Sequence, residues 1–225
     1  KEHKITLQKI KKTKSDIFDL TIDVDKTQAY VGEEIYLTMR FKYKKDIQIY
    51  DLQFSKPIFN NFWSKQLQTP KLPQDNLYVV QELKYLLFAQ KSGTLNIPPF
   101  KIVAVLPDRN SFGFNSFFQS ATINKKIYSN SLKLDIKPLP KDIYLVGDFK
   151  IKAIVDKTTI KAAQAVSYQL EISGRGNIDD LQEYNLNIPQ ATIYDNPSQK
   201  SFNIKNGKYG GIYKKTYSIV ANEDL

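Results

Sequence analysis

The sequence has no cysteine and a single histidine, His3. Without thiols it forms neither disulfides nor thiolate metal sites. A single histidine, near the start of the sequence, excludes imidazole-based zinc centres and most Ser-His or Cys-His catalytic arrangements. Arginine is almost as scarce. Arg40, Arg109 and Arg175 are the only ones, so the formal charge of +10 is nearly all lysine. Arginine suits bidentate phosphate contacts, and the lysines are dispersed along the chain, so the charge reads as solvated strand faces and no nucleic acid is expected as a partner. Lysine on exposed strands also discourages edge-to-edge pairing. No apolar run approaches the roughly 18 residues of a membrane span, and Lys1 does not open a signal-peptide pattern. A soluble piece of a longer protein is the expectation, with any membrane attachment made through a segment outside this sequence.

What is present is a repeat. Phe18 to Phe41 is largely written again 131 positions later, as Phe149 to Ile172. Phe18, Leu20, Ile22 and Val24 alternate with Asp19, Thr21, Asp23 and Asp25, which is the period of a strand with one dry face. Phe149, Ile151, Ala153 and Val155 keep that phase. After a shared Asp-Lys-Thr, a second alternation follows in each copy: Ile35, Leu37, Met39 and Phe41, then Val166, Tyr168, Leu170 and Ile172. Two related modules fit within 225 residues, each large enough to bury its own core.

Residues 1–15 compare with Ser131 to Pro140, so Ile5 to Ile10 reads as the last strand of a preceding module; a disordered basic linker is the other reading. The first module spans 16–140. Prolines between Lys56 and Pro73 exclude a helix there. Tyr78 to Ala89 reads as a long strand, and Lys91-Ser92-Gly93 as a turn into Thr94 to Ile102, whose Pro98 and Pro99 fit an edge or bulge. An insertion at about 107–129 carries Phe112, Phe114, Phe117 and Phe118 in a Gly/Asn/Ser-rich tip. The second module, 141–225, has Ser173 to Asn177 as a turn and a late strand over Lys214 to Ala221. It lacks a counterpart of the first module's closing strands, which predicts an open sheet edge that Ile5 to Ile10 or a neighbouring molecule can fill. Short strands separated by frequent turn signals predict an all-β protein of tandem immunoglobulin-like β-sandwich domains.

Tyr30 to Leu37 (YVGEEIYL) with Ser92 to Pro99 (SGTLNIPP), the junction from Ser129 through Lys137-Pro138-Leu139-Pro140 to Val146-Gly147-Asp148-Phe149, and Ile172 to Asn177 (ISGRGN) together resemble the BatD "oxygen tolerance" family. The resemblance spans nearly the whole chain. Ala162-Ala163-Gln164 departs from the expected VGE, which leaves the fold intact but puts that turn's geometry in question, because alanine is unfavourable where a glycine takes positive φ. The resemblance implies export across the bacterial inner membrane, with these domains in the periplasm and an anchor elsewhere. It also implies partnership with von Willebrand factor A-domain Bat proteins and indirectly a MoxR-type AAA+ ATPase, in aerotolerance or envelope stress. It transfers no catalytic residue and no cofactor, so the expectation is a non-enzymatic interaction scaffold. A glycan-binding or adhesin-type sandwich, stacking sugars on Trp63 or Tyr78, is the alternative.

Three features remain as candidate sites. Gly174-Arg175-Gly176 resembles half a phosphate loop, but its strand context favours a connecting turn. Asp179, Asp180 and Glu183 cluster in what reads as a solvated loop rather than a calcium site; an exposed carboxylate there suits the open metal position of an A-domain partner. Phe59, Phe62 and Trp63 read as core, whereas Phe112, Phe114, Phe117 and Phe118 either fold back or meet an apolar partner.

Overall fold

The computed structural model describes residues 10–69, 75–108, 121–205 and 207–222. Among them the protein is all-β, with fifteen strands and no α-helix. The chain divides into two compact units: Ile35–Pro138 with the residues up to Ala29, and the chain from Leu139 with Tyr30–Glu34. None of its helices is long and apolar enough to cross a membrane, among the described residues.

In the first unit, β1 (Phe18–Val24), β3 (Glu34–Lys44), β6 (Tyr78–Ala89) and β5 (Phe62–Leu67) form a sheet in the order β1-β3-β6-β5. A second sheet is β2 (Gln28–Tyr30), β10 (Leu132–Lys137) and β7 (Gly93–Ile97), and a third is β4 (Asp51–Phe54), β8 (Lys101–Pro107) and β9 (Thr122–Tyr128). The single strand expected over Thr94 to Ile102 is in fact two. Proline has no N–H to give a ladder, so Pro98 and Pro99 end β7 at Ile97 and the chain restarts as β8 in a different sheet. Every apolar position of the first copy's alternations except half-buried Val24 is dry: Phe18, Leu20, Ile22, Ile35, Leu37, Met39 and Phe41 are buried with Ile102, Ala104, Ile127, Leu134 and Ile136 of the other sheets. Asn130 ties β1 in, accepting from Ile22 N–H at 3.0 Å and donating to its carbonyl at 2.8 Å. Of the leading segment, Thr13 is held to Tyr128 by its amide and its hydroxyl, at 2.9 and 2.8 Å. Residues 1–9, and with them most of Ile5 to Ile10, lie outside the described residues.

The second unit's strands share one antiparallel sheet. β11 (Gly147–Val155) pairs with β12 (Ala165–Gly176), which pairs with β15 (Lys208–Ala221). The far edge of β15 is divided between β14 (Gln199–Lys205), paired with Lys208 to Lys214, and β13 (Ala191–Asp195), paired with Tyr217 to Ala221. The late strand therefore starts six residues before the expected Lys214. Ser173 to Gly176, expected as a turn, are strand. Gly174 and Gly211 face each other, as do Arg175 and Gly210, and this glycine pairing lets the ladder run on where local sequence favours a break.

The repeat extends to individual hydrogen bonds. Asp25 and Tyr36 exchange an N–H to carboxylate bond (2.8 Å) and an N–H to carbonyl bond (3.0 Å); Asp156 and Ser167 do the same at 2.7 and 3.2 Å. At the next turn Glu33 accepts from Tyr30 N–H (2.9 Å) and Gln164 from Lys161 N–H (3.0 Å). The departure from VGE has not changed that geometry. Gly32 has φ +75° and Ala163 φ +63°, so alanine carries the strain of a left-handed residue. Ala163→Gly is expected to raise stability by about 0.5–1 kcal/mol, relief of strain exceeding the added freedom of the unfolded chain. Urea unfolding measures it, and a fall in the midpoint would mean that the turn carries no strain.

Candidate functional site

The stretch after β12 is organised by Asn177, which is 2% exposed. Its Oδ1 accepts from Val146 N–H at 2.6 Å, and its Nδ2 donates to the Tyr144 carbonyl at 2.8 Å and to the Asp180 carboxylate at 2.7 Å. One side chain thus pins the entry to β11 against the exit from β12. The glycines beside it serve packing. A Cβ at Gly174 would strike the Asp148 carbonyl and one at Gly176 the Val146 carbonyl, which accounts for the Gly-Arg-Gly spacing by close strand approach. A single 3₁₀ turn, Ile178–Asp180, follows with Ile178 buried beneath it.

Asp179 and Asp180 are neighbours with different surroundings. Asp179 is half-buried, and burial raises its pKa against the lowering effect of its backbone and Tyr209 hydrogen bonds. Tyr209 is pushed up to about 12, first by burial and then by the Asp179 charge. Asp180 is exposed, its position fixed by Asn177. The solvated loop expected at this pair is therefore half right. Asp180 faces water, and Asp179 belongs to the packing under β15. Among the described residues no group of three His, Cys, Asp or Glu could hold a metal ion.

Lys215 is the feature that sequence reading missed. It is 1% exposed and sits on the apolar face of β15 between Tyr213 and Tyr217, with its ammonium 2.5 Å from Asp195 and 3.3 Å from Glu183. Parity could have found it, since in Tyr213-Lys-Lys-Thr-Tyr217 it shares phase with the tyrosines. Tyr217 hydroxyl donates to the Tyr184 carbonyl, and Lys200 Nζ to the Leu181 carbonyl at 3.0 Å, so the 181–184 segment is held across this face. Asp195 chiefly raises Lys215 above 10.5, burial opposing it, and Ser198 followed by Lys215 hold Glu183 below 4.5. A depressed carboxylate contributes stability that is lost as pH falls through its folded pKa; a raised ammonium contributes stability that is lost as pH rises through its own. Asp179, with its raised pKa, works against Glu183 on the acid side. The urea midpoint is expected to be highest between pH 4.5 and 10.5 and to fall beyond each. Lys215→Met should shrink both falls, and an unchanged profile in that variant would show that the trio is uncoupled from folding.

The aromatic candidates separate. Phe112, Phe114, Phe117 and Phe118 lie outside the described residues. Phe62 is buried, and half-buried Phe59 packs on Tyr85 and Phe100 at ring distances of 5.2 and 5.9 Å. Trp63 is half-buried and packs tilted on Phe88 at 5.6 Å, and Lys42 Nζ lies 3.8 Å over the half-buried Tyr78 ring.

A known family model matches the chain. The BatD DUF11-like domain aligns with residues 22–136, the body of the first unit and just over half of the 225-residue chain. No curated protein matches the sequence. The match covers Tyr30 to Leu37, Ser92 to Pro99 and the Ser129-Asn130 start of the junction that carried the resemblance, while Val146 to Phe149 and Ile172 to Asn177 lie beyond it; the chain belongs to the BatD family.

Proposed function

We propose that the protein is a non-enzymatic scaffold, two immunoglobulin-like modules of common origin that stand on the periplasmic side of the inner membrane and assemble with von Willebrand factor A-domain Bat proteins. A MoxR-type AAA+ ATPase acts on that assembly indirectly, and aerotolerance or envelope stress is the setting. The observation that carries this reading is Asp180, an exposed carboxylate on a turn whose base is locked by buried Asn177. An A domain with an open metal position needs one oxygen ligand from its partner, and a carboxylate already fixed in place loses little entropy on binding. The perturbed ionisable groups of this unit add support, because Lys215 is paired with Glu183 and Asp195, and Asp179 with Tyr209, within the packing of β15. Pull-down of a purified Bat A domain by this chain tests the proposal. Binding should be lost with EDTA and with Asp180→Ala, while Asp156→Ala, at the opposite end of the β11–β12 hairpin, should leave it intact. Binding that survives both EDTA and Asp180→Ala overturns the metal-bridged scaffold.

A further inference from the structure

The core of the first unit leaves one opening unfilled. The chain ends β4 at Phe54 and crosses to β5 in another sheet, with Ser55 N–H still bonded to the Lys101 carbonyl at 3.0 Å. Under this crossing lies a cavity of about 240 Å³. Met39, Leu83 and Phe100 give it apolar walls, with Phe54 and Pro57 beside them. Exposed Lys56 and half-buried Lys101 supply its charge, and no acidic residue lines it. Among the described residues neither lysine has a carboxylate partner. Tyr85, opposite Gln66 in the β5–β6 ladder, completes the wall. It is 7% exposed and packs on Phe59 and Phe100 at 5.2 and 6.2 Å, and its hydroxyl makes no hydrogen bond among the described residues. Nor is that hydroxyl sealed off, so the little surface Tyr85 keeps includes its polar end. Burial raises Tyr85 above 10, so the group stays protonated at neutral pH and free to donate. A donor held this deep costs stability until something accepts from it.

We propose that this cavity binds a small aromatic monocarboxylate, its ring against Met39, Leu83 and Phe100 and its carboxylate met by the Tyr85 hydroxyl and the Lys56 and Lys101 ammonium groups. Volume sets the size of the ligand. A cavity of about 150 Å³ takes benzene, so one of about 240 Å³ holds roughly ten non-hydrogen atoms. The walls set its body, since Phe54, Tyr85 and Phe100 offer ring edges and faces and Met39 a thioether that packs well on an aromatic ring. The lysines set its charge. An anion gains charge-assisted hydrogen bonds from them, whereas a cation meets two like charges and no counter-ion. Mostly apolar lining with a few polar groups is also the usual make-up of a small-molecule site. The cavity lies in the first unit and Asp180 in the second, so this binding goes beyond the A-domain contact and does not depend on it.

Phenylacetate has the required size and is the probe. Titrated into the 225-residue chain and followed by amide NMR, it should bind saturably and shift the signals of Leu83, Tyr85 and Lys101. Phenylacetamide, the same shape without the charge, should bind about tenfold more weakly. Lys56→Met combined with Lys101→Met should weaken phenylacetate about tenfold and leave phenylacetamide unchanged. Lys56→Met alone, at an exposed position where folding is not at stake, should give part of that loss. Tyr85→Phe keeps the ring packing and should weaken phenylacetate about fivefold, with the urea midpoint confirming that the unit is folded. The proposal is overturned if those amides show no saturable shift, if phenylacetamide binds as tightly as phenylacetate, or if either the lysine variants or Tyr85→Phe keep full affinity.

Discussion

Leu20→Ala is expected to cost about 2–5 kcal/mol, whereas Ile151→Ala, the same position in the second copy of the repeat, should change the stability of this chain by less than about 0.5 kcal/mol. The sequence treats the two residues alike: each is the second apolar residue of an alternating strand that opens a module. Their surroundings do not. Leu20 is fully enclosed, so removing its branched end leaves a cavity that sheets on both sides prevent from closing. Ile151 is mostly in water and leaves none. Trp63 makes the measurement direct. It is the only tryptophan and packs on Phe88 in the first unit, so its fluorescence reports that unit's unfolding, while circular dichroism follows both. Leu20→Ala should move the tryptophan transition to lower urea. Comparable losses from the two substitutions would mean that the second unit's face is covered in solution.

Asn177→Ala should destabilise the second unit by about 1–3 kcal/mol, because the Val146 N–H and the Tyr144 carbonyl both lose their partner where β11 begins. Asn177→Asp makes the sharper test. The aspartate keeps an acceptor for Val146 but replaces the amide donor with a negative oxygen, turned toward the Tyr144 carbonyl and the Asp180 carboxylate. It should therefore be at least as damaging as alanine despite its matching shape, because two carboxyl groups then face each other where the amide now donates. Amide exchange at Val146 reads the same bond locally. An aspartate variant as stable as the parent at neutral pH would show that the amide makes no such contacts.

Much of the fold could be read from the residues. The strand Tyr78–Ala89 and the alternations of β1 and β3 follow from apolar period alone, and the shared Asp-Lys-Thr marked the turns that Asp25 and Asp156 hold. Errors arose where distant pairing decided the outcome. Ser173 to Gly176 has the composition of a turn, and only the glycines of β15 opposite it make a strand possible there. Asp179 and Asp180 are indistinguishable in the sequence; whether Tyr209 packs over one of them depends on a hairpin some thirty residues away. Lys215 was overlooked because lysine is a solvated residue by default, and here two carboxylates compensate its burial.

The divided edge of β15 sets an order of opening. Its ladder with β12 runs through eleven consecutive residue pairs, whereas β13 and β14 hold its other side by five and seven, separated where Asn196 N–H reaches the Thr216 carbonyl. Either short strand can detach while β15 keeps its long partner, so local unfolding on that side need not pass through global unfolding. A foreign strand of matching length could displace β13 or β14 by exchange, leaving the rest of the sheet intact.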